Sequence, residues 1–492
     1  MTNQLKESDT GRLESILNDF IEAGETEKAA VLAGLLDDPE CADPARWCLL
    51  GRQAVQAGDM NLAKVRFQKS LQLGSQNPEL FFDLSSILFL LDEDAEAATW
   101  AVKTIEALPH IPEGYYHLAQ IHDSNGRIDE AVLVFQKMLD SEVIADPDKN
   151  EAHIRLGAIL LNAHRYEEAI PHLQKALLLG ENEAAIWKDL GHCKSRMGEL
   201  EGALVAFRNA VERNPSPANL YELGDCLLSL ERNEEAIAVL ENAAGQNPRF
   251  VMANYDLSLA YIRENRYEEG AAAARRALAD DPEMKLQRSN PSLGATNNLA
   301  VCLLNQNLLE EAVACSDQNI KMISHSYFNK GLALFRLRRP EDAAACFKKF
   351  LENCPDDTEA LNLLGQSLNN AGHHAEAVAN LKKAIKLDPK YALGYYDLGV
   401  ILVRKKDKRA EAMRCYKKAL SLQLDDHSAA WALYTIGCLH ALANHQEEAL
   451  NFLEQAFEKG LRDRAHIDAD KDLNSLRRDP RFQEMMGRYF AA

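Results

Sequence analysis

The stretch DLGHCKSRMGELEGALVAFRNAV, residues 189–211, decides the fold. It holds a Leu-Gly pair at Leu190-Gly191, a mid-stretch Gly198, then Ala203, Phe207 and Ala210 at fixed offsets. Moving outward in either direction, the same slots return. Leu156-Gly157, Leu223-Gly224 and Leu257-Ser258 stand 33 or 34 residues from their neighbours in the series. Leu50-Gly51, Leu84-Ser85 and Leu118-Ala119 keep the step near the front, and Leu364-Gly365 and Leu398-Gly399 keep it near the end. Self-similarity at this period marks a repeat array, in which no unit buries its apolar face alone and stacking is obligatory.

The other slots follow in register. An aromatic precedes the Leu by three at Trp47, Phe81, Tyr115 and Trp187. An Ala comes about thirteen after it, among others at Ala63, Ala97, Ala131, Ala169, Ala236 and Ala377. Four further on stands a bulky residue, such as Phe67, Phe135, Leu240, Phe347 or Leu381. Several units close on proline: Pro109, Pro215, Pro248, Pro282, Pro355 and Pro389. Apolar residues at three- and four-residue steps give amphipathic helices. Gly198, like Gly126 and Gly372, falls where a turn must separate two helices. The small Gly191 and Ala203 let antiparallel helices approach, Phe207 fills the space they leave, and Pro215 stops the second helix.

This pattern of Trp, Leu-Gly, Tyr, Ala, Phe, Ala and Pro resembles the tetratricopeptide repeat. The resemblance covers nearly the whole chain, with about twelve units from residue 44 to 463. It implies an all-α fold, a right-handed superhelical α-solenoid of antiparallel helix pairs, whose concave face is lined by the first helix of each unit. Residues 1–43 form an N-terminal helical segment in which ILNDFIEAGETEKAAVLAGLLDDP has the rhythm of a repeat without the Leu-Gly pair. About seven repeats are expected over 44–282 and about five over 296–463. Between them, 283–295 reads as an inter-repeat insertion or loop, with a hinge dividing the array as the sharper alternative. Two smaller slips, at 139–153 and at the 38-residue step from Leu398 to Ile436, read as longer loops. Residues 464–492 carry no repeat signature. Asp479-Pro480 looks like a helix start there, and Phe482, Met485 and Met486 like one apolar face, so this tail reads as capping helices.

Composition fits an array better than several globular domains. Of 492 residues 47% are apolar, enough for a continuous core, but only 7% are aromatic, so the core leans on Leu and Ala. The formal charge of −20 repels phosphate backbones and anionic lipid, so nucleic acid is not an expected partner. The polar start and the short, Asp83-interrupted run FFDLSSILFLLDEDA give no secretory signal and no membrane insertion. Ten cysteines without a Cys-x-x-Cys pair suit a reducing cytoplasm.

No phosphate-binding loop, nucleophile elbow, zincin helix or calcium loop is present. The pairs His373-His374 and His440/His445 lack a third ligand, so no metal and no cofactor is expected. Cys193, Cys226 and Cys302 share one slot, and Cys315, Cys346 and Cys415 another. A repeated slot implies a repeated environment, and these six read as small apolar packing residues. The residue before the key Leu is the candidate groove position. Down the chain it is Asp83, His117, Arg155, Asp189, Glu222, Asp256, Asn298, Asn329 and Asp397. The acids either form a solvated face of an acidic chain or attract Lys and Arg of an extended partner. Asn298 and Asn329 can bond a peptide backbone. The resulting expectation is a non-catalytic scaffold or adaptor that binds peptide or helical segments of protein partners, with basic segments among them. A cochaperone-type adaptor for acidic C-termini and a self-associating structural scaffold are the alternatives. Lys188 and Arg155 do not complete the basic set the former needs, and an enzyme is disfavoured because the repeats leave no room for a catalytic domain.

Overall fold

Helix starts in this chain are written by its capping residues. Asp43, Asn77, Ser216, Asp357 and Asp425 each accept a hydrogen bond from a backbone N–H in the first turn that follows, at 2.8–3.3 Å. Pro44, Pro78 and Pro217 occupy the first helical position, where a missing N–H costs nothing. Helix ends obey the prolines: Pro109, Pro215, Pro248, Pro355 and Pro389 each stand two residues beyond the end of a helix.

The computed structural model describes residues 7–180, 183–279, 291–319 and 324–490. Among them are 28 α-helices and no strand. The chain divides into two compact units, Met1–Leu230 and Glu231–Ala492. In the first unit the helices are α1 (Glu7–Glu22), α2 (Thr26–Leu36), α3 (Pro44–Gln56), α4 (Met60–Gln72), α5 (Pro78–Leu90), α6 (Asp94–Ala107), α7 (Pro112–Ser124), α8 (Ile128–Leu139), α9 (Asp146–Asn162), α10 (Tyr166–Leu178), α11 (Ala184–Arg196), α12 (Leu200–Arg213) and α13 (Pro217–Ser229). In the second they are α14 (Asn233–Gln246), α15 (Val251–Arg263), α16 (Tyr267–Ala279), α17 (Pro291–Asn305), α18 (Leu309–Asn319), α19 (Ser324–Arg336), α20 (Pro340–Asn353), α21 (Thr358–Asn370), α22 (His374–Leu387), α23 (Ala392–Leu402), α24 (Arg409–Ser421), α25 (Asp426–Leu442), α26 (Gln446–Glu458), α27 (Arg464–Ala469) and α28 (Pro480–Phe490).

From α1 to α12 and from α15 to α26 an odd-numbered helix pairs with the even-numbered helix after it, as α11 does with α12 and α21 with α22. Each second helix then packs on the first helix of the next pair. First helices also touch one another directly, α5 with α7, α7 with α9 and α9 with α11 in the first unit, and α15 with α17, α19 with α21 and α21 with α23 in the second. Each unit thus has a layer of adjoining first helices, and this is the layer that carries the candidate face.

Glycine sets the spacing inside a pair. A Cβ on Gly191 would lie 2.6 Å from the Phe207 ring, and one on Gly157 2.6 Å from Leu173. Gly51 meets Phe67, Gly331 Phe347, Gly365 Leu381, Gly399 Tyr416 and Gly437 Leu453 in the same way. The bulky partners are buried, Phe67, Phe347, Leu381 and Leu453 completely so. Where the slot holds Ser85, its buried hydroxyl donates to the Ala97 carbonyl at 2.8 Å. The turn glycines Gly58, Gly126, Gly198 and Gly372 have φ between 69° and 87°, which glycine adopts at no steric cost.

Two of the register slips are absorbed in part by helix rather than loop. Helices α9 and α25 each run 17 residues where α3, α5, α7, α11 and α13 run 13, so the added residues lengthen the first helix by about a turn. The anticipated insertion at 283–295 falls outside the described residues up to 290, and Pro291 already begins α17. The boundary between the compact units lies at Leu230/Glu231. At the C-terminus α28 packs on α26 through Phe490, whose ring sits 5.1 Å from Phe457, and buries Phe482 and Met485. Asp470 ties the same region down by accepting from the Tyr434 hydroxyl at 2.7 Å.

All six slot cysteines are buried, and all ten cysteines are free thiols. Burial pushes the thiols of Cys193 and Cys226 up to about 11 and that of Cys302 up to about 12, so they stay protonated at neutral pH.

The glycine slot makes a clear prediction for stability. Gly191→Ala should cost about 1–3 kcal/mol, because the methyl must displace a packed ring. Gly34→Ala, in the last turn of α2 with nothing within 4 Å of the new methyl, should instead gain up to about 0.5–1 kcal/mol. Thermal melts of the two variants check the opposite signs.

Candidate protein-binding face

The residue before each key Leu does lie on the layer of first helices, but the structure divides the row into two groups. Four members bond across from one repeat to the next. Asp83 on α5 accepts from Arg52 Nε of α3 at 2.7 Å, and Arg52 also bonds Glu79 at 2.8 Å. Asn298 on α17 is buried and donates to the Ser258 hydroxyl of α15 at 2.8 Å. Asn329 on α19, also buried, donates to Asn297 Oδ1 at 2.8 Å. Asp397 on α23 accepts from Asn362 at 2.8 Å and from Gln366 at 2.6 Å, both on α21. Burial raises its carboxyl to about 6 against the restraint of these two bonds. Asp256 on α15 is buried, with 6% of its surface exposed.

For Asp83, Asn298, Asn329 and Asp397 these bonds run to the adjoining first helix. The reason is geometric. A residue 100° around the helix from a buried Leu faces the adjoining first helix, and a polar side chain there finds a partner on it. His117 behaves likewise: it is wedged against the edges of Phe82 and Phe89 at 5.5 and 5.7 Å, and burial lowers its pKa. Arg155 lies over the Tyr116 ring at 4.7 Å and pairs with Glu151.

Asp189 on α11 and Glu222 on α13 form the second group. Asp189 is half-buried, yet among the described residues its carboxylate makes no hydrogen bond and no ion pair. Among the described residues Glu222 pairs only with His192, 3.6 Å away, whose pKa burial lowers, so the imidazole is neutral near pH 7. The pattern missed two members. His192 follows Asp189 by three residues, and Asp225 follows Glu222 by three, so each shares a helix face with its acid. Asp225 is exposed, and among the described residues its carboxylate makes no hydrogen bond or ion pair either. Burial raises all three carboxyls above their ordinary range, with Asp225 adding to the effect on Glu222. Lys188 draws Asp189 and Glu222 down and Arg196 draws Asp225 down, but neither compensates burial. The first unit thus holds three poorly compensated acids on adjoining helices.

Family comparison agrees with this architecture. The tetratricopeptide repeat model matches residues 116–186, 221–285, 255–315, 328–392 and 370–429, more than half of the chain. The chain belongs to the tetratricopeptide repeat family. A model for anaphase-promoting complex subunit 3 also matches 162–243. Among curated relatives, the chain is 24% identical to the protein CTR9 homolog of Arabidopsis thaliana over 72% of its own length and 32% of that protein. It is 25% identical to the peroxisomal targeting signal receptor of Candida albicans, over 45% of its length and 37% of the receptor. The figures for the TPR repeat-containing protein YpiA of Bacillus subtilis are 23%, 53% and 61%. The chain thus spans less than two thirds of each of these relatives. A solved tetratricopeptide repeat protein from Parabacteroides merdae aligns over 52% of this chain and 98% of its own, at 17% identity and a TM-score of 0.37. Among the described residues no helix is long and apolar enough to cross a membrane.

The burial of these acids has a signed consequence for stability. Their folded pKa values lie above the unfolded ones, so the folded state binds more protons and its stability falls as pH rises through that window. Asp189→Asn/Glu222→Gln/Asp225→Asn should raise Tm at pH 7 by a few degrees and leave it nearly unchanged at pH 4. A Tm that drops at pH 7 would show that the three charges stabilise the fold.

Proposed function

We propose that the chain is a non-catalytic scaffold that holds a basic segment of a partner protein against Asp189, Glu222 and Asp225. The carrying observation is that Asp189 and Glu222 keep their charge half-buried with little local compensation, with the more exposed Asp225 beside Glu222. Destabilising charge retained on a binding layer is the usual mark of a site whose counter-charge arrives with the ligand. A Lys or Arg side chain laid between α11 and α13 supplies that counter-charge by charge-assisted hydrogen bonds. The scaffold itself is already ordered by its core, so little entropy is lost on its side when the partner docks. Membership of a repeat family and a relative whose name is that of a signal receptor support a recognition role.

Neutral His192 limits self-neutralisation of the site above its lowered pKa. Binding should weaken as pH falls, and should begin to do so at higher pH than for exposed carboxylates, because the acids protonate early.

The test is fluorescence anisotropy of a labelled Lys/Arg-rich peptide titrated with the full chain. Asp189→Lys/Glu222→Lys should weaken binding about tenfold or more and flatten its salt dependence. Glu106→Lys/Glu167→Lys, on exposed positions of α6 and α10, controls for net charge and should do little. Equal losses in both double variants would overturn the assignment.

A further inference from the structure

The second unit carries the opposite charge feature. A surface cavity of about 580 Å³ opens at the turns of three successive pairs, between the ends of α19, α21 and α23. Arg336, Arg338 and Arg404 line it, with Asn369, Asn370 and the Phe335 ring. Its size lies within the range of ligand pockets. In a chain of net charge −20, three arginines on one cavity stand against the general trend.

Their own partners are few. Arg336 donates to the Leu304 carbonyl at 2.8 Å and so completes the end of α17. The guanidinium groups of Arg338 and Arg404 make no hydrogen bond and no ion pair among the described residues, and both residues are exposed. Nearby cations that do find acids find them elsewhere: Arg339 pairs with Asp342 and Lys408 with Glu411. The link after α23 adds charge beside the cavity. It departs from the usual turn, contains a short 3₁₀ turn at Lys406–Lys408, and reads RKKDKR over 404–409, with Asp407 its only acid. Arg338 stands at φ 57° in the turn slot that Gly58, Gly126, Gly198 and Gly372 fill in other repeats. Asn369 Oδ1 is engaged with His374 Nδ1 at 2.9 Å, which leaves its amide free to donate.

We propose that this cavity, formed by Arg338 and Arg404 with Asn369 and Asn370, is a second binding site that takes an extended acidic segment of a partner protein. Guanidinium forks match carboxylates two bonds at a time, the two asparagines serve the peptide backbone, and Phe335 gives an apolar floor. Nucleic acid is the poorer occupant, since the remainder of the chain repels a polyphosphate backbone. The site lies at the turn edge, away from the row of residues preceding the key Leu, and the proposal is independent of the acidic face on α11 and α13.

The experiment titrates the full chain into a fluorescein-labelled deca-glutamate peptide and reads anisotropy at low and moderate salt. Arg338→Gly/Arg404→Gln should weaken binding about tenfold or more. The glycine suits the turn, so the variant should keep the wild-type circular dichroism spectrum and melting curve. Arg414→Gln/Lys418→Gln removes the same charge from exposed positions on α24 and should leave affinity within about twofold. No binding by wild type, or equal losses in the two double variants, would overturn the site. Tighter competition by inorganic phosphate than by unlabelled peptide would overturn the peptide as occupant. So would a single-stranded oligonucleotide bound as tightly and with the same variant dependence.

Discussion

The contact on which this molecule depends is that of a glycine in one helix with a large side chain sixteen residues further on in the next. Gly51 and Phe67, Gly157 and Leu173, Gly191 and Phe207, and Gly331 and Phe347 repeat it. At Gly399 and Tyr416 the step is seventeen, where the 3₁₀ turn adds a residue to the link. The missing Cβ lets two backbones approach, and the ring or isobutyl group fills the gap. Fixing that distance fixes where the outer surface of each pair lies, and hence how the next pair seats upon it.

Regular stacking has a chemical consequence for the first helices. Once they adjoin, every polar side chain that faces the neighbouring first helix must find a partner there or remain poorly compensated. Arg52 with Asp83, Asn298 with Ser258, and Asp397 with Asn362 and Gln366 are the satisfied cases. Asp189 and Glu222 are the poorly compensated ones, with the exposed Asp225 beside Glu222. The scaffold therefore separates polar residues that bond from one repeat to the next from acids with little compensation nearby. The same logic applies with reversed sign at the turn edge of the second unit, where Arg338 and Arg404 lack the acids that Arg339 and Lys408 possess.

Helix order, pair spacing and turn positions were legible in the sequence because each is set by local chemistry. Leu190, Gly191, Gly198, Ala203, Phe207 and Pro215 each have one structural task, and repetition made the tasks visible. The slot cysteines were legible for the same reason, since Cys193, Cys226 and Cys302 repeat a position that is always buried. Register slips were less legible. A surplus of residues at 139–153 could enter a loop or a helix, and α9 took part of it as an added turn.

The face was legible only as a row. Sequence by itself determined which residues sit before the buried Leu, because the period counts them. It could not tell Asp397 from Asp189: both are aspartates in the same slot. Only the tertiary structure decided between them, by what the preceding or following first helix places opposite. Across from Asp397 stand two amides; Asp189 has no such donor. Partnership across thirty residues depends on two side chains at once, and a one-residue pattern holds no record of it. The arginine-lined cavity was hidden for the same reason, since Arg338, Asn370 and Arg404 belong to three different repeats and meet only where their turns do.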